Sequence, residues 1–400
     1  MAVGALRQMV GVGGASIISR RLGEKKMAEA EKTLGTSLLF TAAISLVLSI
    51  LIALFSESIL RLFGATDAIM PYAMDYVVII LIGFPVHAIS MTGNSLISAE
   101  GNAQKAMQAM LIGTIVNIIL DPIFIFGLDM GIQGAAIATI IGQSCSFVWI
   151  FLYYYRGKSI VPLRLSNMVI RWHILGKVLI LGLPSFIQMA GFSLITTVIN
   201  NILGTHGGSM AISTYGIIFR LLSFIFMPIS GLAQGFQPIA GFNYGAGNYD
   251  RVRKVLYLAL FSATAIAGVS YGIIMLFPGF FVGLFTTDAA LINIATPALQ
   301  TMALLTPIIG IQMISSIYFQ AVGKGVPAIL LGLSRQFIVL LPIVLILSRL
   351  YGVNGVWMSF PIADAISTII TVSALSFELR RLGTISDSMP TAQLKENTAA

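Results

Sequence analysis

Charge, cysteine and histidine are all scarce in this chain. Only 10% of its 400 residues are Asp, Glu, Lys or Arg, against about 25% in soluble domains. So little charge excludes an ordinary water-covered surface. The single cysteine, Cys145, lies inside an apolar run and excludes an intrachain disulfide. Three histidines and one cysteine form no metal-ligand cluster, and no G-x-x-x-x-G-K-[ST] phosphate loop or serine–histidine elbow is present. No enzyme is expected, and no cofactor. The remaining energy source is an ion gradient, where one charge moved across 100 mV is worth about 2.3 kcal/mol. No polar n-region followed by a cleavage site opens the sequence.

Apolar residues take the place of charge: 57% of the chain, with a mean hydropathy of +0.94. The pattern predicts an all-α, polytopic membrane protein with about eleven spans. They run over 1–19, 33–55, 71–97, 104–127, 132–155, 173–203, 209–240, 252–277, 289–321, 327–348 and 354–377. Pro85, Pro184, Pro228, Pro297, Pro307, Pro342 and Pro361 fall within them. Such breaks are tolerated in a membrane where neighbours or a cavity re-satisfy the backbone. The net charge of +8 falls in short loops, so it reports topology rather than nucleic acid. One set of loops carries Arg20, Arg21, Lys25, Lys26, Lys32, Lys105, Arg156, Lys158, Arg164, Arg171, Lys177, Arg251, Arg253, Lys254 and Lys324. The alternate set has only Arg61 and Arg349. The first set and the C-terminus are therefore expected in the cytoplasm of a cell with this protein in its inner or plasma membrane.

The chain repeats itself at an offset of 220–222 residues. Leu22-Gly23 answers Tyr244-Gly245, and Leu62-Phe63 with Asp67 answers Leu284-Phe285 with Asp288. Ala99-Glu100-Gly101 answers Ala321-Val322-Gly323, Pro122 answers Pro342, and Gly131-Ile132-Gln133-Gly134 answers Gly352-Val353-Asn354-Gly355. Basic loops align with basic loops, which predicts two pseudo-symmetric lobes in a parallel repeat. The expected division is a first lobe over 1–156, a cytoplasmic linker over 157–172, a second lobe over 173–381, and a disordered tail over 382–400. The first copy has one span ahead of residue 20 where the second has two. Symmetry then calls for roughly 50 further residues upstream; the alternative is a naturally asymmetric chain of eleven helices.

Within this repeated scaffold one polar cluster is not repeated. In the span 104–127, Asn117 and Asp121 share a helix face, four residues apart, and Pro122 deprives the carbonyl of Ile118 of its helical partner. Asn94 and Thr139 lie at the same expected depth. The counterparts of Asn94, Asn117, Asp121 and Thr139 in the second copy are Ser316, Phe337, Leu341 and Phe360. A packing role would recur in both halves, whereas an ion site needs only one. Carboxylate and amide oxygens suit a hard cation or a titrating carboxyl. The alternatives are that Asp121 is wetted at the aqueous end of its span and that Asn94 and Thr139 make interhelical hydrogen bonds; other intramembrane polar residues also stay open to two readings. Arg220 near mid-span either lines a cavity or pairs with an acid; Arg335 and Asp364 either line a cavity or pair with each other. Arg7 is equally ambiguous. His87 either titrates or serves as an ordinary hydrogen-bonding residue. Met189, Met227, Met302 and Met313 are candidates for a substrate cavity, with lipid or core contact as the alternative.

Four stretches together resemble the multidrug and toxic compound extrusion (MATE) family. They are Ile17-Ile18-Ser19-Arg20-Arg21-Leu22-Gly23, Asn117-x-x-x-Asp121-Pro122, Gly131-x-x-Gly134-Ala-Ala-x-Ala-Thr139 and Gln237-Pro238-x-x-Gly241-x-Asn243-Tyr244-Gly245-Ala246. The resemblance extends to about Arg381. It implies two six-helix lobes around a central cavity, alternating access, and export of drugs and organic cations in exchange for protons or sodium ions. It maps the family's first-lobe cation site onto Asn94, Asn117, Asp121 and Thr139. That site also uses an aspartate on a first helix that this sequence does not contain, and the second-lobe acids of some relatives are missing from the stretches around Gln188 and Gln312, which the resemblance places in the substrate cavity. The expected partners are small-molecule drugs and membrane lipids, with the protein working as a monomer. Two rival readings remain. One is a flippase for lipid-linked saccharides, which needs Arg7, Arg220 and Arg335 all facing inward. The other is a transporter fragment without activity.

Overall fold

Apolar helices account for nearly all of the chain. The computed structural model describes residues 2–62, 66–67, 69–157 and 159–387. Phe63, Lys158 and the tail from 388 to 400 lie outside the described residues. Thirteen helices follow in order among those described: α1 (Ala2–Gly23), α2 (Met27–Leu54), α3 (Ser56–Leu62), α4 (Met70–Ala99), α5 (Ala103–Pro122), α6 (Gly131–Tyr155), α7 (Trp172–Gly245), α8 (Tyr249–Leu276), α9 (Pro278–Gly283), α10 (Ala289–Met302), α11 (Thr306–Ala321), α12 (Gly325–Leu333) and α13 (Leu341–Asp387). Seven helical runs are each long and apolar enough to cross a bilayer, and the bent pair α10–α11 makes an eighth. Two of the seven are double. The 74-residue α7 breaks at Gly208, and the 58-residue run Gly325–Leu382 breaks at Gly352. With the less apolar α1, the described residues hold the eleven spans that the sequence predicts.

The backbone bears out the repeat in detail. Helices α2 and α8 are 28 residues each, and each is followed by a short helix, α3 or α9, that hydrophobic periodicity alone did not predict. Gly101 and Gly323 take φ of 86° and 82°, and Gly131 and Gly352 take 52° and 57°. A side chain with Cβ is strained in that region, so glycine is retained at both copies of each turn. The copies also differ. Pro85 sits inside an unbroken α4, while its counterpart Pro307 opens α11 after a 52° bend. The span predicted over 289–321 is therefore two helices. Helix α13 continues to Asp387, so residues 382–387 are helix rather than disordered tail; a run without hydrophobic periodicity can still extend a helix already nucleated.

Packing divides the chain into two units, Ala2–Gly182 and the residues from Leu183 onward. In the first, Ile18, Leu34, Leu96, Ile97 and Ile150 form the centre of the core. The start of α7 belongs to this unit. Gly13 lies against the Val178 carbonyl and Gly182 against the Met9 carbonyl, so closely that a Cβ on either would overlap the facing backbone. In the second unit the core is built on Ile199, Leu203, Ile218, Ile225, Leu256, Leu299 and Tyr318.

The segment between α6 and α7 is strapped to the first unit by two buried carboxylates. Glu100 accepts from Ser159 Oγ at 2.8 Å, the Ile160 N–H at 3.0 Å and the Tyr153 hydroxyl at 3.2 Å. Glu31 accepts from Asn167 Nδ2 at 3.0 Å and pairs with Arg164 at 3.6 Å. Thr36 adds a bond to the Val169 carbonyl at 3.0 Å. Burial outweighs the hydrogen bonds at Glu100 and pushes its carboxyl up to about 7. The docked strap therefore holds a proton that an undocked Glu100 releases, and its added stability is complete below the ordinary carboxylate range and lost as pH rises through about 7. Hydrogen exchange over 159–169, corrected for its intrinsic rate, should show protection rising on the order of a hundredfold from pH 8 to pH 5. Glu100→Gln should flatten that dependence; an unchanged profile in the variant would show that Glu100 does not hold the strap.

Candidate functional site

Close approach of α5 and α6 assembles the polar cluster. A Cβ on Gly142 would stand 2.5 Å from the Gly113 carbonyl oxygen, and one on Gly113 would stand 2.1 Å from Ser146 Oγ. Ser146 donates to the Ala109 carbonyl at 2.7 Å, fixing the same crossing. Small residues at such crossings let helix backbones meet in a membrane. One turn along from Gly113 and Gly142, Asn117 and Thr139 come into register. Asn117 Nδ2 donates to Asp121 Oδ1 at 3.1 Å and, more weakly, towards Thr139 Oγ1 at 3.5 Å. Thr139 donates its own proton to the Ala135 carbonyl at 2.9 Å, which leaves its oxygen free to accept. Immediately after Pro122 the helix widens into a π turn over Ile123–Gly127, a distortion frequent at functional sites.

Helix α4 completes the arrangement. Asn94, Asn117 and Thr139 line one cavity of about 220 Å³, together with His87, Ser90 and Gln143. Asn94 Oδ1 is buried with no hydrogen-bond partner among the described residues. Asp121 is half-buried and joins this group through Asn117 rather than by lining the cavity itself. It has no basic partner among the described residues. The arrangement offers a carboxylate, two amides and a hydroxyl within three neighbouring helices. Such a group can hold a proton or a small cation that would otherwise bear the full cost of leaving water. Ser90 and Gln143 were not singled out from the sequence. Their signal was present: each stands four residues from a chosen residue, Asn94 or Thr139, on the same helix face.

In the second unit two of the four corresponding positions, Phe337 and Phe360, are filled by aromatic rings, and the other two are Ser316 and Leu341. The Phe337 ring occupies the space that Gly191 leaves, within 2.4 Å of where a Cβ would stand. Phe360 packs on Tyr215 at 6.2 Å between centroids, and Phe192 on Phe219 at 4.7 Å. Arg335 and Asp364 pair with each other, Nε to Oδ1 at 2.7 Å. Gln312 is buried, donating to the Asp364 carbonyl at 3.0 Å and to Thr368 Oγ1 at 2.7 Å. Gln188 is exposed and Met189 half-buried on α7. Arg220 is exposed in a separate cavity of about 850 Å³. The substrate-cavity candidates Arg220, Gln188, Gln312 and Met189 thus fall in different surroundings, whereas the four ion-site candidates are brought together.

Two repeated bundles of apolar helices long enough to cross a bilayer, with a polar cluster in one of them, define a multi-pass membrane protein. The family described as MatE matches residues 1–123 and 184–346. The multidrug export protein MepA of Staphylococcus aureus (strain NCTC 8325 / PS 47) is 29% identical over 91% of this chain and 80% of its own length. A solved structure of the MATE multidrug transporter DinF-BH is 38% identical with a TM-score of 0.87, covering 94% of this chain and 84% of that one. The outward-facing structure of a multidrug resistance MATE family transporter of the MOP superfamily is 26% identical with a TM-score of 0.90, covering 96% and 86%. The chain belongs to the MATE family of multidrug efflux transporters.

Proposed function

We propose that this protein exports drugs and organic cations from the cell in exchange for protons or sodium ions, with Asp121 carrying the coupling ion and its C-terminus in the cytoplasm. One observation carries the reading. A carboxylate within a membrane span is tied to Asn117 and, through it, to Thr139, has no basic partner among the described residues, and adjoins a cavity with the orphan oxygen of Asn94. A span does not keep an unpaired acid for packing. Ion binding at Asp121 shifts the equilibrium between access states by its differential affinity for them. The flippase reading has less support, because Arg335 is engaged by Asp364 and one of the three cations it needs is neutralised.

The test is export of a cationic dye from proteoliposomes carrying the full chain, with a proton or a sodium gradient imposed separately. Export should follow one gradient and stop when it is collapsed. Transport indifferent to both gradients would overturn the antiport reading.

A further inference from the structure

We infer that the cavity around Arg220 binds an anionic group on an aromatic, drug-sized substrate; this rests on the efflux reading and adds to its organic cations those that also carry a carboxylate or similar anion. Depth is the first reason. Gly208 breaks α7, and Arg220 lies about 18 Å further along the helix, near the middle of a hydrocarbon layer about 30 Å thick. Its guanidinium has no hydrogen-bond or ion-pair partner among the described residues. A charge unpaired at that depth persists where it meets water or a ligand.

The walls supply the second reason. The cavity of about 850 Å³ is within the size range of drug-like sites. Phe219, Phe224, Phe285 and Met227 form its apolar part, and among the described lining residues Arg220 is the only charged one. The guanidinium fork matches a carboxylate with two parallel hydrogen bonds and also stacks on rings.

Lipid contact does not account for the exposure. The accessible stripe of this part of α7 runs through Ser213, Gly216, Arg220, Phe224, Met227 and Gly231, a mixture of polar, small and aromatic residues. The accessible stripe of α8 in the same unit runs from Tyr257 and Leu258 through Phe261, Ala265, Val269, Ile273 and Leu276, apolar apart from the Tyr257 hydroxyl. The α8 stripe has the composition of a lipid face, and the α7 stripe has not.

Two xanthene dyes test the inference by fluorescence anisotropy on the purified full chain; because their amino groups are alkylated differently, the change in their ratio on Arg220→Gln isolates the carboxylate. Rhodamine B has a free carboxylate; rhodamine 6G has it esterified. Rhodamine B should bind about tenfold more tightly. Arg220→Gln should remove that preference by weakening rhodamine B alone, and Arg220→Lys, which keeps the charge without the fork, should retain part of it. Equal binding of both dyes, or an equal loss of both in Arg220→Gln, would overturn the inference. Binding and export of rhodamine 6G alone would overturn it while leaving the efflux reading intact; binding of neither dye would remove both. Displacement of rhodamine B by phosphatidylglycerol but not by phosphatidylcholine would assign the cavity to a net anionic lipid headgroup instead of a drug.

Discussion

Asp121→Asn should reduce gradient-driven export by orders of magnitude while the protein still inserts and still binds drug. The substitution keeps size and hydrogen bonding, and Asn117 Nδ2, now 3.1 Å from the Asp121 oxygen, would keep an oxygen to donate to. What disappears is the charge. An amide neither takes up and releases a proton at accessible pH nor holds a cation as a carboxylate does. Asn117→Ala should do less, because a neutral ligand contributes only about 1–2 kcal/mol in a membrane interior. Leu341→Asn in the second unit should create no second site. Phe337 and Phe360 fill the places where companion ligands would stand, packed against Gly191 and Tyr215. The measurement is counterflow and uphill export in proteoliposomes, with drug binding assayed on the same preparation. Normal uphill export by Asp121→Asn would move the coupling site elsewhere.

Arg335→Met should destabilise the second unit by about 3–5 kcal/mol. Asp364 is almost wholly buried, its side chain 3% exposed, and Arg335 is its cationic partner at 2.7 Å. Removing the arginine leaves a carboxylate with neither water nor counter-charge. The double change Arg335→Met with Asp364→Leu should recover most of the loss, since replacing both members of a buried pair by apolar side chains is often neutral or better. Thermal melting in detergent reads both variants. A single variant as stable as the wild type would mean that Asp364 is not charged when paired, and failure of the double to recover would assign the cost to lost packing of the arginine stem.

The fold and the site were legible in the sequence to different depths. Span positions and the repeat were readable because lipid demands apolar runs of a fixed length. Gly101, Gly131, Gly323 and Gly352 also marked true turns, since their positive φ excludes most other residues. The breaks were less readable. Pro85 and Pro307 occupy matching positions, yet only the second accompanies a 52° bend. A proline removes one hydrogen bond in either place; whether the chain then bends depends on the neighbours that hold the two segments.

The sequence by itself determined that Asn117 and Asp121 share a face, because helical spacing alone places residues four apart together. It also determined that the cluster occurs in one half only, because the second half has two phenylalanines, a leucine and a single serine at its positions. Tertiary structure decided what joins them. Gly113 and Gly142 let α5 and α6 approach until Asn117 reaches both Asp121 and Thr139, and α4 adds Asn94 across the cavity. It decided, too, that Arg335 is neutralised while Arg220 has no partner among the described residues and stands among aromatic side chains. Both are arginines in apolar spans, and their sequence contexts do not distinguish them. The difference is whether a neighbouring helix presents a carboxylate within about 3 Å, which only the packing of distant segments can fix.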